Sequence, residues 1–377
     1  MPHIRIITQA LRRGLHNPVI LLLLASGACT DESATLGPRS DPSFAKQVSG
    51  GVSVAQLPTL GGHAQVYSIN DANLAVGYST LATGPGYTYA ARWAQTNGIW
   101  TIAQVGGLGT TASAINEAGT IVGDSGRVAV VWLGGGSVVL GLGHANALDD
   151  ANTVVGIRHE PGLQAPAVWR QGSGGGWTVT SLERVPGTTG NPYCIGEATG
   201  INGSGIVVGF LFDSGCVQQY AVKWMPKPDP AEGWEPAEPL DNAAGMAKSI
   251  PYAIVGNTVV GVAWPCAVLD GCPRRAYRWS LLPGSSDTGP LGSLDARANG
   301  VNALGESVGS YLSPKRMRAV TWSSAGAPTT LPEVSTFNTH WVWDINNPAA
   351  GRTARLAVGG ATSDRGGISP PLVWTIP

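Results

Sequence analysis

The sequence predicts an all-β fold made of seven similar units, and three observations carry that expectation. A Val-Gly pair recurs at Gly77, Gly123, Gly156, Gly209, Gly261, Gly309 and Gly359. A tryptophan follows each pair, at Trp93, Trp132, Trp169, Trp224, Trp279, Trp322 and Trp374. Composition is the third: 53 glycines, 13 tryptophans against 4 phenylalanines, and 12% charged residues describe a turn-rich chain with aromatic anchors, not one with Glu/Lys-rich helices. The repeat spacings of roughly 33 to 55 residues bracket the approximately 40 to 50 of a four-stranded propeller blade. The expected architecture is a seven-bladed β-propeller of four-stranded blades over residues 52–377.

The copy SAINEAGTIVGDSGRVAVVWLGGGSVVLGLG shows the four short β-type runs of one unit. Its first run ends in a turn that recurs as NDAN (70–73), NEAG (116–119), DDAN (149–152), NGSG (202–205) and NALG (302–305). Asn or Asp at the first turn position bonds the turn backbone, and Gly or Asn at the last accepts positive φ. A repeated calcium loop would need more carboxylates per turn than these supply. The second run ends in Val-Gly, the third ends in the tryptophan, and the fourth is a run such as WTIAQV, SVVLGL or WTVTSL. Alternation then sends Val and Trp side chains between neighbouring blades. The chain opens with an isolated strand, VSVAQLP (52–58), and its seventh copy stops at a third strand, PLVWTIP (371–377). Pairing of these two would complete the last blade and remove both bare edges.

These residues resemble the HAF-type extracellular repeat family, whose unit reads as Ala-x-x-Ile-Asn, Asp-Ala-Gly, Val-Val-Gly and His-Ala-Phe-x-Trp. Ile69 and Asn70, Ile115 and Asn116, Ile201 and Asn202, and Ile345 and Asn346 match the first element. The alanine three before Trp matches at Ala90, Ala129, Ala221, Ala276 and Ala319 but is Pro166 and Pro371 in two copies, and the family's His and Phe are missing. The resemblance covers residues 57–374 and marks a divergent member. It implies export and a propeller, and carries no activity with it.

The first 28 residues set Arg5, Arg12 and Arg13 ahead of PVILLLLASGA, an apolar run of roughly 11 residues that is too short to span a bilayer and reads as a secretion signal. Small residues directly before Cys29 resemble the lipobox of bacterial lipoproteins, which makes Cys29 the acylated first residue of a protein expected at the outer membrane or cell surface. Residues 29–51 read as a disordered tether. The formal charge of −1 falls to about −4 once the three leader arginines leave, so nucleic acid is not an expected partner.

Four further cysteines in an exported chain suggest two disulfides, Cys194 with Cys216 and Cys266 with Cys272. Nearby histidines at zinc-ligand spacing are missing, and no metal or cofactor is expected. GDSG (123–126) resembles a serine-protease nucleophile string, but the repeat already explains Gly123. SSDTGPLG (285–292) resembles a sialidase Asp-box with Gly292 in place of Trp. Loops after second strands and loops between blades vary in length, and in a propeller both open on one face. They hold His63, His144, His159 and His340, with Tyr87, Tyr89, Phe212, Arg158 and Arg365. The best patch there is Trp264, Arg274 and Arg275 of the fifth blade with Tyr311, Lys315, Arg316 and Arg318 of the sixth. An aromatic plane beside guanidinium groups suits an acidic glycan or a carboxylate-bearing envelope protein. The expected function is a lipid-anchored binding module. The alternative is a polysaccharide hydrolase or lyase, which would need carboxylates or histidines converging in one pocket.

Overall fold

A computed structural model describes residues 47–83, 86–160, 163–185, 196–213, 219–240, 246–266, 272–283, 285, 288–314, 316–349, 351–363 and 369–377. Cys29, Cys194, Cys216, Lys315 and Arg365 lie outside them, as do the leader and part of the Asp-box string. The described chain is all-β and antiparallel, with one 3-10 turn at Pro230–Glu232. In chain order the strands are β1 (Gln47–Ser49), β2 (Val52–Gln56), β3 (Gly61–Ile69), β4 (Leu74–Leu81), β5 (Thr88–Thr96), β6 (Ile99–Leu108), β7 (Thr110–Ile115), β8 (Ile121–Ser125) and β9 (Val128–Leu133). There follow β10 (Gly136–Leu148), β11 (Val154–Glu160), β12 (Leu163–Gln171), β13 (Trp177–Ser181), β14 (Glu197–Ile201), β15 (Val207–Phe212), β16 (Gln219–Trp224), β17 (Glu238–Pro239) and β18 (Lys248–Val255). The last are β19 (Thr258–Trp264), β20 (Arg275–Ser280), β21 (Gly289–Val301), β22 (Ser307–Ser313), β23 (Arg316–Trp322), β24 (Pro328–Thr330), β25 (Thr339–Ile345), β26 (Arg355–Thr362) and β27 (Pro371–Ile376).

The strands hydrogen-bond into five sheets rather than seven. The physical reason is that two strands serve twice. The first half of β10 pairs with β9 and its second half with β11, and β21 joins β20 to β22 in the same way. Seven four-stranded units are still distinguishable, opening with β3, β7, the second half of β10, β14, β18, the second half of β21, and β25. The seventh is completed by β2, which pairs with β27 through Val54 opposite Trp374. β1 folds back on β2, so residues 47–49, expected within the tether, form a paired strand instead.

Each repeat tryptophan anchors a core cluster that joins its unit to the one before. Trp132 packs with Val76 and Ala90, Trp169 with Val122 and Val131, and Trp374 with Val308 and Ala319. The cluster around Trp93 unites the first unit with Leu356, Val358 and Val373 of the last. Four of these indoles also donate Nε1–H to a backbone carbonyl at a unit boundary: Trp93 to Pro58, Trp169 to Leu140, Trp224 to Glu183 and Trp374 to Pro332, at 2.7–3.1 Å. A buried aromatic of this size is worth about 3–5 kcal/mol over alanine, so the inter-unit contacts rest on these side chains.

The Asn-led turns add a second set of links. Asn Oδ1 accepts the backbone N–H four residues on, from Leu74, Thr120, Ile206 and Glu306 to Asn70, Asn116, Asn202 and Asn302. The Nδ2 group of the same side chain donates to the next unit: Asn70 to Asn116 O, Asn116 to Asp149 O, Asn202 to Gly256 O, Asn302 to Asn346 O and Asn346 to Asn70 O. Asp149 keeps the first bond, from Thr153 N at 2.7 Å, but has no amide to give. Gly256 has no side chain. At those two boundaries arginine reaches across instead: Arg170 lies 4.1 Å over the Trp234 ring, and Arg278 donates to the carbonyls of Gly305 and Ser324.

Candidate functional site

The Val-Gly glycine has a cause that spacing alone does not show. In every unit the first strand carries a β-bulge opposite that glycine, and the bulged residues are Tyr67, Ser113, Asn146, Thr199, Tyr252, Asn299 and Trp343. The bulge drives a carbonyl oxygen into the space where the partner's Cβ would sit: Gln65 O against Gly77, His144 O against Gly156, Arg297 O against Gly309, and likewise in the other units. Only glycine tolerates this approach. The reward is positional, since the extra residue in each unit turns its side chain inward. All seven bulge residues line one cavity of about 520 Å³, which the first strands of all seven units therefore share.

The bulge residues divide by chemistry. Three of the four polar ones hold the neighbouring unit: Asn146 donates to Ala198 O at 2.9 Å, Thr199 to Pro251 O at 2.7 Å and Asn299 to Val342 O at 2.6 Å. The aromatic ones present rings. Tyr67 meets Trp343 edge-on with centroids 5.7 Å apart, and the Arg297 guanidinium lies 5.2 Å from the Trp343 ring. Burial pushes both tyrosine hydroxyls, Tyr67 and Tyr252, above their ordinary range, so both stay neutral hydrogen-bonding groups. Asp344 is the acid in the wall. Its carboxylate accepts from Ser68 Oγ and Ile69 N of the first unit, each at 3.0 Å, and burial raises its pKa to about 6.

A titratable cluster is formed by His144 and Glu197, each two residues before the bulge on the first strands of the third and fourth units, with Asp124 and His159 on the second strands of the second and third units. His144 Nδ1 is 3.7 Å from Asp124, the His144 and His159 rings meet edge-on at 5.5 Å, and Glu197 accepts from Asn146 Nδ2 at 2.6 Å. Burial raises the Asp124 and Glu197 carboxyls against the pull of His144, and burial lowers His159. The arrangement combines carboxyls that hold protons above their usual range with imidazoles beside them, which is the equipment of acid–base chemistry.

The residues singled out from sequence fare differently. Cys266 and Cys272 form a disulfide with Cα atoms 6.1 Å apart. Trp264 is only 9% exposed, so it offers no aromatic plane to solvent, because β19 lies inside its sheet and buries this residue with the rest of the strand. Arg274 pairs with Asp295 at 3.2 Å, and Arg316 and Arg318 both reach Glu333, at 3.1 and 2.8 Å. Arg275 donates to Ser293 O, and Tyr311 bonds Thr330. Arg318 and Glu333 line a second cavity of about 460 Å³ with Ser49 and Thr330. His340 is fully buried and accepts from Val334 N, so it belongs to the core and not to the loop face. Gly123 of the protease-like string is the bulge-facing glycine of its unit, and Asp124 belongs to the His144 cluster. Among the described residues, none of these loop residues lines the larger cavity. Its aromatic walls were hidden because bulge positions vary freely in type, although each lies opposite a Val-Gly glycine that could have pointed to it.

Neither family models nor curated proteins match this chain. Among solved structures it is similar to TolB from Acinetobacter baumannii, at 10% identity over 80% of this chain and 79% of that one, with a TM-score of 0.40. A likeness of that degree bears on none of the residues described above.

Proposed function

We propose that this is an exported lipoprotein, anchored through acylated Cys29 at the outer membrane or cell surface, whose seven units form one β-propeller that serves as a binding module. The contact of Trp93 with the last unit supports the ring, because a row of units open at its ends would leave that indole without its partners. The binding reading rests on the contrast between uniform turns and bulges and unlike loops. At the 460 Å³ cavity that Arg318 and Glu333 line, the Arg316 and Arg318 guanidinium groups already hold one carboxylate, Glu333, and Tyr311 bonds Thr330 of the same wall. An acidic glycan or a carboxylate-bearing envelope protein would engage the same groups.

A second reading, an enzyme acting on polysaccharide, is favoured by the convergence of Asp124, His144, His159 and Glu197. One experiment tests both. Full-length protein recovered from membranes, and Cys29→Ala protein recovered in the soluble fraction, are screened on an acidic and neutral glycan panel for binding and for turnover. Arg316→Glu is expected to weaken binding and flatten its salt dependence, while Glu117→Ala in a turn changes neither. Turnover that disappears in Glu197→Gln would replace the first reading by the second. An affinity that ignores Arg316 and falls with Glu117 would put the binding face at the wrong end.

A further inference from the structure

From the shared cavity at the bulges we infer a second ligand site, one that takes an uncharged sugar of one or two rings. It is separate from the loop-end patch and does not depend on that patch binding anything. The volume of about 520 Å³ falls in the range of small-molecule sites, roughly 300–1,000 Å³.

The rings of Tyr67, Tyr252 and Trp343 enter this cavity from the first, fifth and seventh units, and aromatic faces cover the C–H faces of a sugar ring. Ser113 and Thr111 add hydroxyls, each both donor and acceptor, on the wall of the second unit.

Trp343 also brings an unpaired polar group to the cavity. Its Nε1 is buried with no acceptor among the described residues; the indole nitrogens of Trp177, Trp322 and Trp341 are in the same state, but of the four tryptophans Trp343 is the one that lines the cavity. A buried donor left without an acceptor is costly, and a sugar hydroxyl supplies one.

The charges argue for a neutral ligand. A cation over Trp343 would meet Arg297, already 5.2 Å from that ring, and an anion would meet Asp344 in the same wall. Neither sign is welcomed alone, while a polyol that donates to Asp344 and accepts from Trp343 satisfies both.

The test is calorimetric titration of the full-length chain with glucose, N-acetylglucosamine, cellobiose and chitobiose, set beside glucuronate and choline. At least one neutral sugar is expected to bind. Trp343→Ala should lower its affinity at least tenfold, and Trp343→Phe, which keeps a ring but loses the N–H, should lower it less. Arg316→Glu at the loop end should leave it unchanged, which separates this site from the loop-end reading. No heat from any neutral sugar, tighter binding of glucuronate or choline, or unchanged affinity in both Trp343 variants would overturn the inference.

Discussion

The two ends of the first strands follow opposite rules. At the turn end five of the seven units repeat one chemistry, an Asn that donates to the next unit, and all seven carry a bulge that faces glycine. At the loop end each unit has its own solution, a disulfide in the fifth, a Glu333 carboxylate shared by two arginines in the sixth, and a His144–Asp124 pair between the second and third. The difference teaches where the fold is specified. The turn-end links between units are made from amide side chains and backbone carbonyls, and the tryptophans add apolar contact between units, so both recur, while side chains at the loop end are free to differ.

The sharpest way to break this contrast is at the bulge. Gly209→Ala sets a Cβ against Glu197 O, where only backbone movement relieves the overlap, and is expected to cost about 4 kcal/mol or more. The same change at Gly107, which has open space around it and no positive φ, should alter stability by less than about 0.5 kcal/mol. Urea unfolding compares them, and equal midpoints would remove the bulge from the explanation of the repeat.

Asp344 provides a test of intermediate size. Burial raises its pKa from 3.8 to about 6, so the folded chain holds the proton more tightly than the unfolded one. Its contribution to stability is therefore complete below about pH 4 and lost as the pH rises through about 6, on the order of 2–3 kcal/mol by linkage. Asp344→Asn should lose that part of the pH dependence whatever its absolute stability. Unfolding curves at pH 4 and pH 7 for both proteins decide it, and identical pH profiles would show that Asp344 is not the group responsible.

The smallest effects belong to the turn links. Asn116→Asp keeps the cap on Thr120 N and loses the Nδ2 donor to Asp149 O, an expected cost of about 1 kcal/mol. The reverse change, Asp149→Asn, supplies a donor at a boundary that lacks one and should gain up to about 1 kcal/mol. Melting of the two single variants reads the pair, and shifts in the same direction would mean that the amide is not the active part.

Much of this could be read before any coordinates. Seven Val-Gly pairs, seven tryptophans and the Asn-led turns are periodic because each answers a constraint met once per unit, and the termini could be matched because each lacked what the other had. The candidate site was not readable in the same way. Tyr67, Ser113, Asn146, Thr199, Tyr252, Asn299 and Trp343 share a position but no residue type, and a bulge is a property of two strands in register, not of one. The loop-end patch misled for a related reason. Arg274, Arg316 and Arg318 stand out as unpaired charges along the chain, but their partners Asp295 and Glu333 lie roughly 15–20 residues away in sequence and meet them only across strands.

The asparagine links also bear on how such a chain changes over generations. Each is written in one unit and read by the peptide carbonyl of the next, a group that every amino acid carries. Asp149 and Gly256 accept the bond from Asn116 and Asn202 as well as Asn116 accepts it from Asn70. For this bond a mutation in one copy needs no matching mutation in its neighbour, and a duplicated or drifting copy still fits between its old companions. The seven units could therefore grow as unlike as they now are without losing their hold on one another.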